Sequence, residues 1–218
     1  MKLNTVIFDM DGLLIDSEPL WGEAADEIFA RYGFKLTPTQ YATTTGMRTK
    51  EFVEWWFNLY NIDAAHHSDA ERDILKTVVD KVMIKGKPMQ GVEHIFNFFI
   101  ARNFKIGLAT SSGSDLIDVV VDKLGIRRYL HAIASAADLP YGKPHPQVYL
   151  NCAAELNSHP TECICFEDSF NGMISAKAAR MKCIVVPAHH ESLNIKFNAA
   201  DLKLSSLQNF NDLLLQTL

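Results

Sequence analysis

The sequence predicts an α/β protein whose core is a parallel sheet with helices on both faces, interrupted by an all-helical insertion. From Gly91 onward, short apolar strand patterns alternate with helical patterns, which is typical of a parallel sheet built from βαβ units. Residues 16–87, by contrast, show only helical periodicity. We therefore predict a Rossmann-like core made of residues 1–15 and 88–218, and a separate helical cap domain made of residues 16–87.

The first predicted strand begins at Val6 and ends in two carboxylates, Asp9 and Asp11, which are followed by Gly12. The two-residue period of a strand would point both carboxylates to the same side. Two ionised carboxylates at the edge of a low-dielectric sheet repel each other, so a cation or hydrogen-bond donors should lie between them. A surface turn of Asp-x-Asp-Gly composition is the alternative interpretation of this segment.

The insertion reads as a succession of helices. Ser17 and Pro19 mark a helix start, and Gly33 marks the end of that helix. The sequence predicts helices over 17–32, 49–60 and 70–84, and a hinge back to the core over 85–88.

The remainder of the chain predicts alternating elements in the order needed for a doubly covered sheet. Predicted strands cover 105–109, 132–135, 163–166, 183–186 and 202–204, and predicted helices cover 92–101, 115–124, 146–156, 172–179 and 207–215. Ligands of such sheets bind at the carboxyl ends of the strands, so the residues that follow each strand are the candidates for function.

Three further polar groups stand at or near predicted strand ends. The hydroxyl cluster Thr110-Ser111-Ser112 follows the second strand and enters a helix, where backbone N–H groups can hold an anion or a hydroxyl can simply cap the helix. Lys143 precedes Pro144, which restricts its backbone. Glu167 and Asp168 follow the fourth strand. Carboxylates, hydroxyls and one ammonium together suit a hard divalent cation and a phosphoryl group.

Composition excludes several other functions. The net charge is −5 and no long Lys/Arg run is present, which argues against nucleic acid as a partner. No apolar run reaches the roughly 18 residues that a membrane span needs, so we expect no membrane association and a cytoplasmic protein. The four cysteines lack a Cys-x-x-Cys spacing, and buried, reduced thiols are the expectation.

In their order along the chain, these residues resemble the four motifs of the haloacid dehalogenase (HAD) superfamily of phosphotransferases. The motifs are Asp9-Met-Asp11-Gly12, Thr110, Lys143-Pro144 and Glu167-Asp168. The helical insertion is similar to the cap of that superfamily, and the segments 139–150 and 167–172 are similar to its sugar-phosphatase branch. The resemblance covers essentially the whole chain.

The resemblance implies a role for each core residue. Asp9 would be the nucleophile that becomes an aspartyl phosphate, and Asp11 would be the general acid and then the base. Thr110 and the N–H of Ser111 would hold the phosphoryl group, and Lys143 would neutralise charge. The Mg²⁺ ligands would be Asp9, the backbone carbonyl of Asp11, and Asp168, with Glu167 supporting the group.

The resemblance also assigns the choice of substrate to the cap. The expected substrate-binding residues there are Glu18, Trp21, Gly46, Met47 and Arg48, together with Ser111 of the core. It implies a monomeric enzyme that hydrolyses a small phosphorylated sugar or sugar alcohol, of the hexitol phosphate or 2-deoxyglucose-6-phosphate type.

Other functions remain open at this point. β-Phosphoglucomutases share the core motifs, although they would carry a histidine in the first cap helix, around Trp21. A non-catalytic phosphate-binding member of the fold is a further alternative, but Asp9 is present. A receiver domain would be nearer 120 residues (roughly,), and a dinucleotide-binding domain would need a Gly-x-Gly-x-x-Gly after a strand.

Overall fold

A computed structural model describes residues 2–218, and its core is one parallel sheet. The strands are β1 (Thr5–Phe8), β2 (Lys105–Thr110), β3 (Ala132–Ser135), β4 (Cys163–Glu167), β5 (Lys182–Val185) and β6 (Leu202–Lys203). Their spatial order is β3-β2-β1-β4-β5-β6, and every neighbouring pair is parallel. The predicted fold class is confirmed. Strand β1 lies between β2 and β4, so the polar residues that follow these three strands come to one edge.

Helices that follow the insertion cover both faces of this sheet, and the first four helices of the chain belong to the insertion. The helices are α1 (Glu18–Phe29), α2 (Pro38–Ala42), α3 (Thr49–Leu59), α4 (His67–Lys85), α5 (Val92–Ile100), α6 (Ser114–Leu124), α7 (Gln147–Glu155), α8 (Phe170–Ala178) and α9 (Asp212–Gln216). Phe8 of β1 stacks on Phe96 of α5, with ring centroids 5.1 Å apart. Ile7, the preceding residue, belongs to a second buried cluster that includes Tyr149 of α7 and Met173 of α8. Successive residues of β1 therefore face two separate apolar layers.

The helical insertion leaves and re-enters the core at one place. The Asp16 N–H donates to the carbonyl of Lys87 (2.9 Å), and the Met89 N–H donates to the carbonyl of Leu14 (2.9 Å). Ile15 also forms an isolated bridge with Pro88. The two crossing segments are hydrogen-bonded to each other, so the insertion is joined to the core at one place. We keep the predicted domain boundaries near residues 15 and 88 as a proposal.

The end of the chain differs from its prediction. The single helix expected over 207–215 is wrong, because a 3-10 turn at Leu207–Asn209 is followed by an extended break and then by α9. Phe210 at this break is fully buried and packs its ring against Phe99 (5.6 Å between centroids). The Asn211 side chain accepts the N–H of Leu214 and so starts α9. Burial of one aromatic ring and a new cap therefore outweigh continuous helical periodicity.

Two smaller expectations can be compared with the structure. The four cysteines are buried and none of them is in a disulfide bond, as expected. Within residues 2–218, no helix has both the length and the apolar character that crossing a bilayer requires.

Candidate active site

Lys143 lies at the centre of the residues that the sequence singled out. Its Nζ is 2.5 Å from Asp9 Oδ1, 2.7 Å from Glu167 Oε1 and 3.1 Å from the carbonyl of Ala109. Only 2% of Lys143 is exposed, against 6% of Asp9 and 0% of Glu167. Burial alone would lower the pKa of Lys143, but the charges of Asp9 and Glu167 outweigh it and the pKa rises above its ordinary value. The ammonium is therefore firmly protonated.

Both carboxylate oxygens of Glu167 accept hydrogen bonds, which fix its side chain. Besides Lys143, the Tyr149 hydroxyl donates to Oε1 (2.5 Å), and the Asp168 N–H, the Ser169 N–H and the Ser169 hydroxyl donate to Oε2 at 3.2–3.3 Å. A Cβ built on Gly172 would lie only 1.9 Å from Oε1. These donors occupy the acceptor positions of the carboxylate. Glu167 is thus better placed to hold Lys143 than to ligate an ion directly.

Asp9, Glu167 and Asp168 each offer a carboxylate oxygen, and these oxygens lie within 4.8 Å of one another. Gly12 has φ +74°, and a Cβ there would lie 2.2 Å from Asp168 Oδ2. The glycine therefore allows the loop after β1 to approach Asp168 closely. The spacing of the oxygens is suited to a bound divalent cation.

The carboxylates of the site are electrostatically unfavourable in the absence of a cation. Burial is the main cause that raises the pKa of Asp9, to about 8, and the charge of Glu167 adds to it although Lys143 opposes the shift. Burial and the charge of Asp11 likewise raise the pKa of Glu18 to about 8. The pKa of Asp168 is also raised well above its usual range, by burial and then by Asp9. One ammonium does not compensate this cluster, which fits a site for a divalent cation.

Asp11 is oriented by three donors. The Ser17 hydroxyl donates to Oδ1 (2.7 Å), the Trp21 Nε1–H donates to the same oxygen (3.0 Å), and the Ser112 hydroxyl donates to Oδ2 (2.7 Å). Ser17 was expected to cap α1, yet its side chain makes no cap hydrogen bond and binds Asp11 instead. Two residues that begin the helical insertion thus fix a side chain of the core.

The insertion closes over these residues through the loop 44–47. The Ser111 hydroxyl donates to the carbonyl of Gly46 (3.0 Å), and the Asn171 amide donates to the carbonyl of Thr45 (3.0 Å). Gly46 has φ +84°, and a Cβ there would lie 2.6 Å from the Ser169 hydroxyl. A glycine is needed for this close approach. The partly open cavity under this loop is lined by Asp9, Asp11, Glu18, Trp21, Tyr41, Thr44, Thr45, Gly46, Met47, Thr49, Phe52, Ile74, Thr110, Ser111, Ser112, Lys143, Asp168 and Ser169.

Most of the expected site residues line this cavity, whereas Glu167 contacts Lys143 without lining it, and Arg48 lies outside it. Its guanidinium points to the loop after β3, where it donates to the carbonyls of Ala136 (3.3 Å) and Leu139 and pairs with Glu51 (2.5 Å). Glu51 in turn accepts the N–H of Gly142 (3.2 Å). Carbonyl acceptors of the core loop and the Glu51 carboxylate of α3 hold the guanidinium outside the cavity in this structure. Binding of substrate by Arg48 stays a prediction.

Some residues of the site were not predicted. Ser17 was expected to cap a helix, and the cluster that contains Ser112 was expected either to hold an anion or to cap a helix, so neither hydroxyl was expected to bind Asp11. Tyr149, whose hydroxyl holds Glu167, sits among apolar residues of a helix and gives no sequence signal. The cap residues Tyr41 and Phe52 of the cavity likewise look like core residues in sequence.

Comparison with known proteins agrees with this geometry. Residues 6–186 match the family described as haloacid dehalogenase-like hydrolase, and the chain belongs to this family. It is 39% identical to hexitol phosphatase B of Escherichia coli (strain K12) over 94% of this chain and 93% of that protein. It is 29% identical to fructose-1-phosphate phosphatase YqaB of the same strain, over 83% and 95% of the two chains. The predicted resemblance is confirmed.

Solved structures show the same fold. The crystal structure of a β-phosphoglucomutase from Clostridium difficile superposes with a TM-score of 0.86 and covers 98% of this chain and 96% of its own. The two sequences are 22% identical, so this similarity speaks to the fold and not to the reaction.

Proposed function

We propose that the protein is a Mg²⁺-dependent phosphatase that hydrolyses small sugar or sugar-alcohol phosphates through an aspartyl phosphate. The observation that carries the proposal is the buried contact of Lys143 with Asp9 and Glu167 at the floor of a cavity that Asp11 also lines. A carboxylate can attack a dianionic phosphate only if positive charge compensates both groups. Family membership and similarity to phosphatases that act on hexitol and fructose phosphates support the same reaction.

In this mechanism Asp9 attacks phosphorus and displaces the alcohol, so that a bond forms between a carboxylate oxygen and phosphorus while the ester P–O bond breaks. Asp11 gives its proton to the departing oxygen. In the second step Asp11 takes a proton from water, and the resulting oxygen attacks phosphorus to release phosphate and regenerate the Asp9 carboxylate. Ser17, Trp21 and Ser112 keep Asp11 aimed at the cavity throughout.

The phosphoryl group itself would be held by the loop that follows β2 and by Lys143. Thr110 and Ser111 line the cavity, and the Ser112 N–H donates to the Thr110 hydroxyl (3.1 Å), which fixes that side chain. Lys143 neutralises charge between Asp9 and the transferring group. Preorganised donors and cations of this kind supply much of the acceleration of a slow reaction such as phosphate monoester hydrolysis.

Asp9, Asp168 and the backbone carbonyl of Asp11 would hold Mg²⁺, and Glu167 would support them through Lys143 and the start of α8. The ion would supply positive charge that draws the substrate phosphate towards Asp9 and stabilises charge in the transition state. The buried carboxylates carry more negative charge than Lys143 can neutralise, and a divalent cation would neutralise the excess.

The test is phosphate release from a panel of sugar and sugar-alcohol phosphates, with and without Mg²⁺, by the wild type and by Asp9→Asn. Turnover should need Mg²⁺ and should vanish in Asp9→Asn. The matched control is Asp80→Asn, since Asp80 is an exposed carboxylate of α4. Turnover that survives Asp9→Asn would reject the covalent mechanism.

The same assay separates hydrolysis from the mutase alternative. Trp21 occupies the position around which a mutase would carry a histidine, and its indole is bonded to Asp11. We therefore expect release of inorganic phosphate and no conversion of one sugar phosphate into its isomer. Accumulation of the isomer would favour the mutase.

A further inference from the structure

The charges that face the cavity are strongly unequal. Four carboxylates line it, those of Asp9, Asp11, Glu18 and Asp168, and across residues 2–218 the only Lys or Arg side chain among the lining residues is Lys143. Because Lys143 contacts Asp9 and Glu167, its charge is committed to the end of the cavity where a phosphoryl group would react. The rest of the cavity has no cation of its own.

The cap supplies the other end of the cavity. Glu18, Trp21, Tyr41, Thr44, Phe52 and Ile74 form this cap wall. Its chemistry consists of one carboxylate, two hydroxyl-bearing side chains, an indole and apolar surface. The Trp56 indole donates to the Thr44 hydroxyl (3.1 Å), and this hydroxyl donates to the carbonyl of Tyr41 (3.1 Å), which leaves one lone pair of that oxygen to accept a hydrogen bond from a ligand. Such a wall can accept and donate hydrogen bonds to hydroxyl groups, but it cannot neutralise an anion.

Arg48, which stands in the sequence between two lining residues, is kept out of the cavity. Arg48 follows Met47 and precedes Thr49, which both line the cavity, yet its guanidinium is bonded to Glu51 and to carbonyls of the loop after β3. A Cβ on Gly142 would lie 2.8 Å from Arg48 Nε and 2.6 Å from Glu51 Oε2, so the pair is closely packed against that loop. Moving Arg48 into the cavity would break these contacts.

We infer that the cavity selects leaving groups that carry no charge, and that it rejects sugar phosphates with a second phosphate or a carboxylate. This inference rests on the proposed phosphatase function and specifies its substrates by charge. A second anion at the cap wall would be desolvated next to Glu18 without a partner. The same charge distribution opposes transfer of a phosphoryl group from Asp9 to a sugar monophosphate, because the product of that transfer is a bisphosphate.

The test compares substrates that differ in one charged group. Glucitol 6-phosphate and 6-phosphogluconate share a carbon chain and differ at C1, and fructose 1-phosphate and fructose 1,6-bisphosphate differ by the second phosphate. Each pair contains one substrate with an uncharged leaving group and one whose leaving group carries a further anionic group. Where the first is hydrolysed, we expect kcat/KM of the second to be at least roughly 100-fold lower. Equal kcat/KM values within such a pair would overturn the inference and leave the proposed function intact. If no sugar or sugar-alcohol phosphate of the panel is hydrolysed, the proposed function fails and the inference fails with it.

Variants identify the side chain that discriminates. In assays at pH 9, where a Glu18 carboxyl with a pKa of about 8 is ionised, Glu18→Gln should reduce the ratio between the two members of a pair by about 10-fold, since it removes the only carboxylate of the cap wall while keeping the shape. The matched control is Glu93→Gln, because Glu93 is exposed on α5 and does not line the cavity. An unchanged ratio in Glu18→Gln would overturn the role of Glu18. The wild-type ratios remain decisive if Glu18→Gln does not fold.

Discussion

Lys143→Met removes the positive charge from the centre of the site while it retains an unbranched side chain. The change deletes three hydrogen bonds, to Asp9, to Glu167 and to the carbonyl of Ala109. Removal of one partner from a buried ion pair costs about 3–5 kcal/mol. Because the pKa of Asp9 is already raised to about 8, this carboxyl can take up a proton in the variant and limit the loss. We therefore expect the free energy of unfolding to fall by about 3 kcal/mol at pH 8, the lower end of that range.

The assay is urea unfolding of the metal-free protein at pH 8 and at pH 5. The loss should be smaller at pH 5, because protonated Asp9 no longer needs the ammonium. Phosphatase activity should fall at least about 100-fold at both pH values, since a fixed cation next to the reacting groups contributes at least that much to the rate.

Lys81→Met is the matched control for this experiment. Lys81 also contacts two carboxylates, Glu23 (3.0 Å) and Glu27 (2.7 Å), but both partners are exposed on α1. Ion pairs exposed to water contribute little to stability, so Lys81→Met should lose far less than Lys143→Met. Equal losses in the two variants, or a Lys143→Met loss that does not depend on pH, would refute the view that Lys143 compensates buried carboxylates.

Three other predictions follow from the same contacts. Gly172→Ala should destabilise the protein by about 1–3 kcal/mol in thermal unfolding, because its Cβ would meet Glu167 at 1.9 Å. The control is Gly22→Ala in α1, where an added Cβ would have no atom within 4 Å, and this change should be neutral or stabilising in the same experiment. The metal-free protein should lose stability as the pH rises from about 4 to about 8, because folded Asp9 keeps a proton that the unfolded chain, with a pKa of 3.8, releases; calorimetry across that range would expose the opposite slope. The Mg²⁺ concentration that gives half-maximal activity should fall as the pH is raised from about 6 to about 8, because the ion displaces protons from Asp9 and Asp168; a midpoint that does not move would show that these carboxylates are not its ligands.

Much of the fold could be predicted because its signals are local. Apolar strands such as β1 and β4 are short, buried and followed directly by acids, and parallel sheets bring the ends of neighbouring strands together whatever the intervening sequence. The same topology explains why Asp9, Lys143 and Glu167 could be expected to meet although the first two are 134 positions apart in the sequence.

Other features depend on contacts that no local pattern encodes. Arg48 stands on a loop that lines the cavity, and its sequence neighbours suggest a ligand-binding arginine. Its direction is decided by Glu51, one helical turn later, and by the loop after β3, 88 or more residues away. The role of Tyr149 also depends on a distant contact, since its hydroxyl can bind Glu167 only when α7 is packed on the sheet. Phe210 interrupts the last predicted helix for an equivalent reason, namely a buried aromatic cluster formed by distant residues.

The central claim is that Asp9 forms a covalent bond to the transferred phosphoryl group. The most direct measurement is rapid acid quenching of the enzyme during turnover, followed by proteolysis and mass spectrometry of the peptide that contains Asp9. A phosphoryl adduct on Asp9 that appears with substrate and Mg²⁺ and is absent in Asp9→Asn is the predicted result. Steady turnover with the adduct on another residue, or with no adduct under conditions that preserve acyl phosphates, would contradict the claim.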